Sequence, residues 1–320
     1  MSTHPDALPP HPALTTQAGD AASTVCFGAM QFGGTADAAE SEAMFDACRA
    51  AGINFFDTAF GYTGGRSETL LGRFAAPERE RLFIATKCAA PAPSTAANIT
   101  AQFEQSLQRL DMDYVDLLYL HRWDPDTPLE ETFEALAGLV EAGRVRRIGI
   151  SNFSAWQTMK AAWVAHRFSL SIDALQPMYN LVKRQAEVEI LPMAASEGFA
   201  VMPYSPLGGG LLTGKYAGGA SGRLKENEMY RARYGQDWMH DAAAALADLA
   251  ADTGTSPATL AVAWVAHNPD VTAPIISARS VEQLKPSLAA MSFEMDEALY
   301  AQISALTPKP APATDRSEEA

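Results

Sequence analysis

The chain has 320 residues, 48% of them hydrophobic and 19% charged, a balance that suits a globular protein with a sizeable core and excludes a disordered or fibrous chain. Its net charge of −14 argues against nonspecific nucleic-acid binding and against attraction to anionic membranes, so an anionic ligand needs a local basic pocket set against the global field. The longest apolar runs are strand-sized, far short of the ~20 residues of a membrane span.

Residues 1–12 are rich in Pro and His and, like the tail over 308–320, are expected to be disordered, which leaves 13–307 as one domain. The N-terminus lacks the basic and apolar regions of a signal peptide. Ala13–Gln17, the turn Ala18-Gly19-Asp20-Ala21 and Ser23–Cys26 predict a β-hairpin. Strand-like runs follow at Val25–Gly28, Asn54–Asp57, Leu82–Lys87, Val115–Leu120, Val145–Ser151, Ala174–Pro177, Ala200–Tyr204 and Val271–Ile276. Helical runs lie between them. Glu40–Ala51 and Glu187–Glu197 end at Gly52 and Gly198. Ile99, Phe103, Leu107 and Leu110 form one apolar stripe, and Leu129, Phe133, Leu136 and Val140 another. Ser154 with Gln157 three residues on predicts a capping box. Strands and helices alternating in this way predict the α/β class and a closed (β/α)8 TIM barrel. A doubly wound sheet is the runner-up and fits poorly, because no G-x-G-x-x-G separates the first strand from its helix. From Gly214 to Trp238 the rhythm breaks. This polar, cationic stretch (Lys215, Arg223, Lys225, Arg231, Arg233) reads as a long loop after the seventh strand. Cys26, Cys48 and Cys88 are odd in number and widely spaced, with no metal-ligand pattern, so they read as reduced, buried thiols of a cytoplasmic protein without a metal.

Four polar residues stand at or just past strand ends: Asp57, Tyr62, Lys87 and His121. In a parallel barrel those ends gather on one rim, where active sites are built. Reducing a carbonyl needs a hydride donor at carbon and a proton donor at oxygen. Tyr62 is the candidate proton donor, although its free pKa of ~10 is high for an acid at neutral pH. Lys87 supplies an ammonium to lower it, Asp57 a carboxylate to hold the ammonium, and His121 a donor to orient the carbonyl. Singly, an Asp after a strand is often a helix cap, a Tyr beside Gly61 a packed loop residue and a His polar surface. The four in order at strand ends carry the catalytic reading.

These segments resemble the aldo-keto reductases. Asp57-Thr58-Ala59 followed by Tyr62, Ala85-Thr86-Lys87, and Leu118-Tyr119-Leu120-His121 match that family's tetrad segments, and the similarity runs from about Val25 to Leu306. The resemblance implies the four roles above and reduction of aldehydes or ketones to alcohols with NADP(H), on a barrel without a Rossmann domain. It implies that Ser151, Asn152 and Gln176 hydrogen-bond the nicotinamide amide, a group that needs both donors and acceptors, and that Tyr204 stacks on the nicotinamide. The run Pro203–Lys215 is highly specific for the family. Leu207, Gly208, Leu212 and Lys215 fall at its pyrophosphate contacts, with glycines that let backbone amides approach. Gly28, Met30, Ser205, Ile276 and Ser277 fall at further cofactor positions. Arg279 matches a position used for the adenosine 2′-phosphate, so NADP(H) is expected over NAD(H), and Gln283 is expected to reach the adenine. Two departures bear on affinity. Ser277 stands where many relatives have Gly, narrowing the backbone path at the phosphate, and Ser287 stands where they have Asn, removing a contact to adenine.

Met30, Phe32, Phe60 and Trp123, with Met178 and Tyr179, predict a large apolar pocket for carbonyl compounds with aromatic or aliphatic bodies. No carboxylate-binding pair is evident near the tetrad, and Arg122 is the nearest candidate. Two other functions share the same residues: an NAD(P)-dependent sugar or alcohol dehydrogenase, and a cofactor-loaded regulatory subunit with little turnover. No long amphipathic extension is present to hold a partner protein, so the sequence leans to the enzyme. The expected partner is a small carbonyl compound, not nucleic acid or membrane, and a monomer is the family default.

Overall fold

The computed structural model describes residues 14–216, 224, 227–316 and 318. The expectations for residues 1–12, for Ala13 in the hairpin, and for Arg223 and Lys225 lie outside the described residues. Eight parallel strands are described: β1 (Cys26–Gly28), β2 (Phe55–Asp57), β3 (Phe83–Cys88), β4 (Val115–Leu120), β5 (Val145–Ser151), β6 (Ala174–Gln176), β7 (Ala200–Val201) and β8 (Ile275–Ile276). Each strand from β1 to β6 pairs with its successor, and β8 pairs with β1. A parallel bridge between Tyr204 and Ile275, with Ile275 N donating to Pro203 O at 2.9 Å, closes the ring between β7 and β8. The fold is the expected (β/α)8 barrel.

Nearly every strand residue is buried, because one face looks into the barrel and the other is covered by helices. Alternation sorts the two faces. Cys26, Phe55, Phe83, Ala85, Leu117, Tyr119, Ala174, Ala200 and Met202 fill the interior. Their neighbours Phe27, Phe56, Ile84, Leu118, Ile150, Leu175 and Val201 pack outward with the helices. Leu14 and Ala22 plug the N-terminal mouth. The expected hairpin is reduced to one antiparallel bridge, Thr15–Ala21, since Cys26 is taken by β1. The seventh and eighth strands are shorter than their apolar runs, because Pro203 and Pro274 have no N–H for the ladder.

The covering helices are α1 (Ala38–Ala50), α2 (Arg66–Ala75), α3 (Ala96–Leu110), α4 (Leu129–Glu141), α5 (Ala155–His166), α6 (Ile190–Glu197), α7 (Glu228–Tyr234), α8 (Asp237–Asp252), α9 (Pro257–His267), α10 (Val281–Ala289) and α11 (Glu297–Ser304). Asp37, Thr95, Ser256 and Ser280 cap four of them through side-chain oxygens, and Ser154 and Gln157 form the expected capping box on α5. Two expectations change. The helix expected over Glu187–Glu197 begins at Ile190, after a 3-10 turn over Gln185–Glu187. The stretch after β7 is not loop throughout: Asn227 Oδ1 accepts from Met229 N at 3.0 Å and nucleates α7, and Trp238 lies in the first turn of α8.

Candidate active site

The alternation that packs the barrel also delivers the polar residues to its rim. Phe55 points inward, so Asp57 does. Phe83 and Ala85 point inward, so Lys87 does, and Ala174 likewise leads to Gln176. Past β4 the same series runs from Leu117 and Tyr119 to His121. Each site residue is the next inward position above the last apolar layer.

Lys87 is fully buried. Its ammonium donates to Asp57 Oδ1 and, at 2.7 Å, to Thr58 O. Gln176 Nε2 donates to the other oxygen, Asp57 Oδ2, at 3.0 Å. Lys87 Nζ lies 4.9 Å from the Tyr62 ring centroid, and the Tyr62 and His121 rings meet edge to face at 5.9 Å. Tyr62 sits on a loop pinned from three sides. Phe60 N donates to Lys87 O at 3.0 Å, Thr63 Oγ1 donates to Phe32 O at 2.8 Å, and Arg109 Nη1 donates to Phe60 O at 2.8 Å. Arg109 is held by the buried Glu68 at 3.1 Å, and Glu68 also accepts from Thr86 Oγ1 at 2.8 Å. A second network joins the ends of β4, β5, β6 and β7. Ser151 Oγ donates to Gln176 O at 2.9 Å, Asn152 Nδ2 to His121 O at 2.9 Å, and the Tyr204 hydroxyl to Asn152 Oδ1 at 2.7 Å. Asn152 and Ser205 hold positive φ, of 59° and 62°. Asn tolerates this region better than most residues, and such outliers concentrate at functional sites.

Burial dominates the electrostatics. It pushes the Tyr62 phenol above its ordinary value. Lys87 pulls it down, as expected from the sequence, without overcoming the desolvation. Burial also lowers the Lys87 ammonium, but Asp57 and Tyr62 outweigh it and hold Lys87 above its ordinary value. The Asp57 carboxyl is raised by burial, with Lys87 and Gln176 opposing. His121 is held down at about 3 by burial, then by Lys87 and Arg122, so its imidazole is neutral. Burial likewise pushes the Tyr204 phenol up to about 12.

These groups open into a cavity of about 800 Å3. Gly28, Met30, Asp57, Tyr62, His121, Ser151, Asn152, Gln176, Tyr204, Ser205, Leu207, Lys215, Ser277, Arg279 and Gln283 line it, and Lys87 lies behind Asp57. Gly208, Leu212 and Ile276 are buried and do not line it, and Ser287 is buried in α10 beside the cavity-lining Pro286. The aromatic residues expected around the substrate go elsewhere. Phe32 is fully buried, with its ring 5.5 Å from Phe27 and 5.9 Å from Phe74, because the turn after β1 sends it to the outward layer. Arg109 covers the Phe60 ring at 4.5 Å. Trp123 packs edge-on against Phe153 and Trp156 at 5.3 and 5.6 Å. Tyr179 is buried against Trp264 at 5.2 Å, and Met178 is partly buried and receives the Tyr234 hydroxyl at 3.6 Å. In their place Ala90, Arg122, Met229, Tyr230 and Arg233 line the cavity. The last three come with α7, whose sequence offers a cap and a cationic composition but little apolar periodicity. Among the described residues no cluster of His, Cys, Asp and Glu could hold a metal, and no helix is long and apolar enough to cross a membrane.

Most arginines in this acidic chain take a carboxylate: Arg49 with Glu78, Arg79 and Arg146 with Asp116, Arg184 with Glu187. Arg122, Arg233 and Arg279, which line the cavity, have no ion pair among the described residues. Asp57, the one acid that the described residues give the cavity wall, is matched by Lys87. The cavity is therefore a cationic well in a chain of net charge −14.

A sequence model described as the aldo/keto reductase family matches residues 24–308. The chain belongs to the aldo/keto reductase family. It is 34% identical over 310 residues to the uncharacterized oxidoreductase YrpG of Bacillus subtilis (strain 168), covering 90% of this chain and 93% of that one. It is 36% identical over 286 residues to a probable voltage-gated potassium channel subunit beta of Arabidopsis thaliana, covering 84% and 87%. Norsolorinic acid reductase stcV of Emericella nidulans is 33% identical over 330 residues, covering 94% and 84%. As a member of the aldo/keto reductases this chain is an NAD(P)H-dependent oxidoreductase acting on carbonyl compounds.

Proposed function

We propose that this aldo/keto reductase reduces aldehydes or ketones with NADP(H) in preference to NAD(H), and that Tyr62 gives the proton. The observation that carries the reading is the convergence of Asp57, Tyr62, Lys87 and His121 with Lys215, Arg233 and Arg279 in one cavity. The cavity walls fit a phosphorylated dinucleotide. Gly209 and Gly210, at φ of 66° and 97°, leave a cradle that side chains would fill, since a Cβ would lie 2.6 Å from the Tyr230 ring and 3.1 Å from Lys215 Nζ respectively. Ser277 Oγ is buried without a hydrogen-bond partner among the described residues and belongs to the cavity wall, so it favours a ligand acceptor. Lys215 and Arg233 would hold the pyrophosphate, Arg279 the 2′-phosphate, and Ser151, Asn152 and Gln176 the nicotinamide amide, with Tyr204 under its ring.

The bound dinucleotide supplies the hydride. The chain's own residues manage the oxygen. His121, neutral at working pH, donates a hydrogen bond to the carbonyl oxygen and turns it toward Tyr62. Tyr62 is held protonated by burial and carries the proton at its hydroxyl. As negative charge grows on the substrate oxygen, that proton moves across, and the Lys87 ammonium stabilises the phenolate left behind. Asp57 and Gln176 fix the ammonium so that no reorganisation is needed at that moment.

The test is direct titration of wild type and Arg279→Ala with NADPH and NADH, together with loss of reduced-nicotinamide absorbance on a panel of aldehydes, diketones and sugars. R279A is expected to weaken NADPH by about tenfold or more while changing NADH little. Equal losses for both would remove the 2′-phosphate role. Consumption of NADPH with an aldehyde supports the reductase. Tight NADPH binding without turnover on any carbonyl would favour a regulatory subunit instead.

A further inference from the structure

The cations of the cavity fall into two groups. Lys215 and Arg233 follow β7, and Arg279 follows β8. Arg122 stands apart from them. It follows His121 at the end of β4, and β4 lies opposite β8 in the ring. Its Nη2 donates to Pro91 O, on the loop after β3, at 2.9 Å. The anchor ties it to the half of the rim that bears Tyr62, Lys87 and His121, across the mouth from the phosphate-binding side.

Among the described residues no carboxylate pairs with this charge. Pro91 O is the one acceptor that the described residues give it. The nearest acid in sequence, Asp124, is committed to its own loop: its Oδ2 accepts from Ser94 N and Thr127 Oγ1, both at 2.7 Å. Arg122 is exposed where it lines the cavity, so water hydrates its charge and an anionic group entering the cavity would take the place of that water. Its charge acts on His121 and adds to what keeps that ring neutral. That effect alone needs no residue in the cavity wall, since Lys87 and burial already hold His121 down. A guanidinium anchored at one nitrogen keeps its remaining N–H groups for a planar anion.

We propose that Arg122 is an anion subsite for the carbonyl substrate, so that the preferred substrates are aldehydes or ketones carrying a carboxylate. The inference rests on the reductase reading above and adds the substrate class. The carboxylate is bound before and during reaction alike, so its effect falls on KM more than on kcat.

The experiment measures kcat/KM with NADPH for 2-, 3- and 4-formylbenzoate and for the methyl ester of each. The ester keeps the ring and the aldehyde and removes the charge, and the three isomers vary the distance between the groups. At least one acid is expected to exceed its ester by about tenfold. Arg122→Gln is expected to abolish most of that ratio through a higher KM, and Arg122→Lys to restore part of it, which separates loss of charge from loss of fold. Raised salt is expected to narrow the wild-type ratio. Equal rates for acid and ester in all three pairs would overturn the subsite while leaving the reductase in place, and so would a preference that survives in R122Q. No turnover of any of the six, with NADPH consumed on other aldehydes of the panel above, would overturn this inference and leave the reductase in place.

Discussion

At the residue scale, the proposed tetrad is a buried Lys87–Asp57 ion pair with a protonated Tyr62 on one side and a neutral His121 on the other, and Lys87 and His121 make different predictions. Lys87→Met keeps most of the stem's volume but leaves the Asp57 carboxylate buried with Gln176 as its remaining side-chain partner. Turnover is expected to fall by on the order of a hundredfold or more. Stability, read from urea melts, is expected to fall by about 3 kcal/mol, and NADPH titration is expected to show binding largely kept. Full activity in K87M would sink Tyr62 as the tuned acid. His121 makes a pH prediction. Its native pKa of about 3 lies below the ordinary histidine value near 6.5. The neutral form is therefore the one present through the working range, and Tyr62, raised above its ordinary value, stays protonated on the alkaline side. The reductive kcat/KM is expected to be level between about pH 5 and 9, with no inflection from His121 near 6.5. The same shift has a stability consequence with a definite sign. Below the unfolded value the unfolded chain takes up a proton that the native chain refuses, so acid between about pH 6.5 and 3 penalises the native state. Urea melts of wild type and His121→Asn should diverge as the pH falls, the variant losing less stability.

At the element scale, backbone clearance decides what the barrel tolerates. Gly149 on β5 faces Tyr119 on β4 in register, and a Cβ there would lie 2.5 Å from the Tyr119 ring, which fills the barrel interior. Gly138 in α4 has nothing within 4 Å of the same added atom. Gly149→Ala is expected to destabilise by about 1–3 kcal/mol through overpacking. Gly138→Ala is expected to stabilise by up to about 1 kcal/mol through helix propensity, and thermal melts of the two should move in opposite directions. The same geometry explains what could be read in advance. Strands covered on both faces leave apolar runs that end on Asp57, Lys87 and His121, so the strands and the polar rim were legible in the sequence. The two prolines that shorten β7 and β8 are visible too, each lacking the N–H that a ladder needs. What escaped is non-local. Phe60 is covered by Arg109, 49 residues on, and no spacing near Phe60 records it. Phe32 lies past the end of β1, where alternation stops and a turn decides which layer receives the ring. Gln176 bonding Asp57 joins positions 119 residues apart, and α7 carries a cap but too little apolar periodicity to declare itself.

At the scale of the whole molecule, a chain of net charge −14 carries a cavity whose described wall is cationic, so the overall charge opposes anions while the well draws them, and salt weakens both effects. The ring itself is uneven. Six adjacent pairs of strands from β1 to β7, and the pair β8–β1, are joined by ladders, while β7 and β8 meet through the Tyr204–Ile275 bridge and a few flanking hydrogen bonds. The cavity wall draws on both lips of that seam, Tyr204 and Ser205 on one side and Ile275 and Ser277 on the other. A dinucleotide seated across them, as proposed above, would act as a lace, its binding energy adding to the force that keeps the barrel shut. Backbone amide exchange makes this visible. The Ile275 N–H, which donates to Pro203 O, should exchange faster than the inner amides of β3 and β4, and should slow on addition of NADPH far more than they do. The barrel would then have a zip as well as a mouth, and the ligand that serves its chemistry would also fasten its wall.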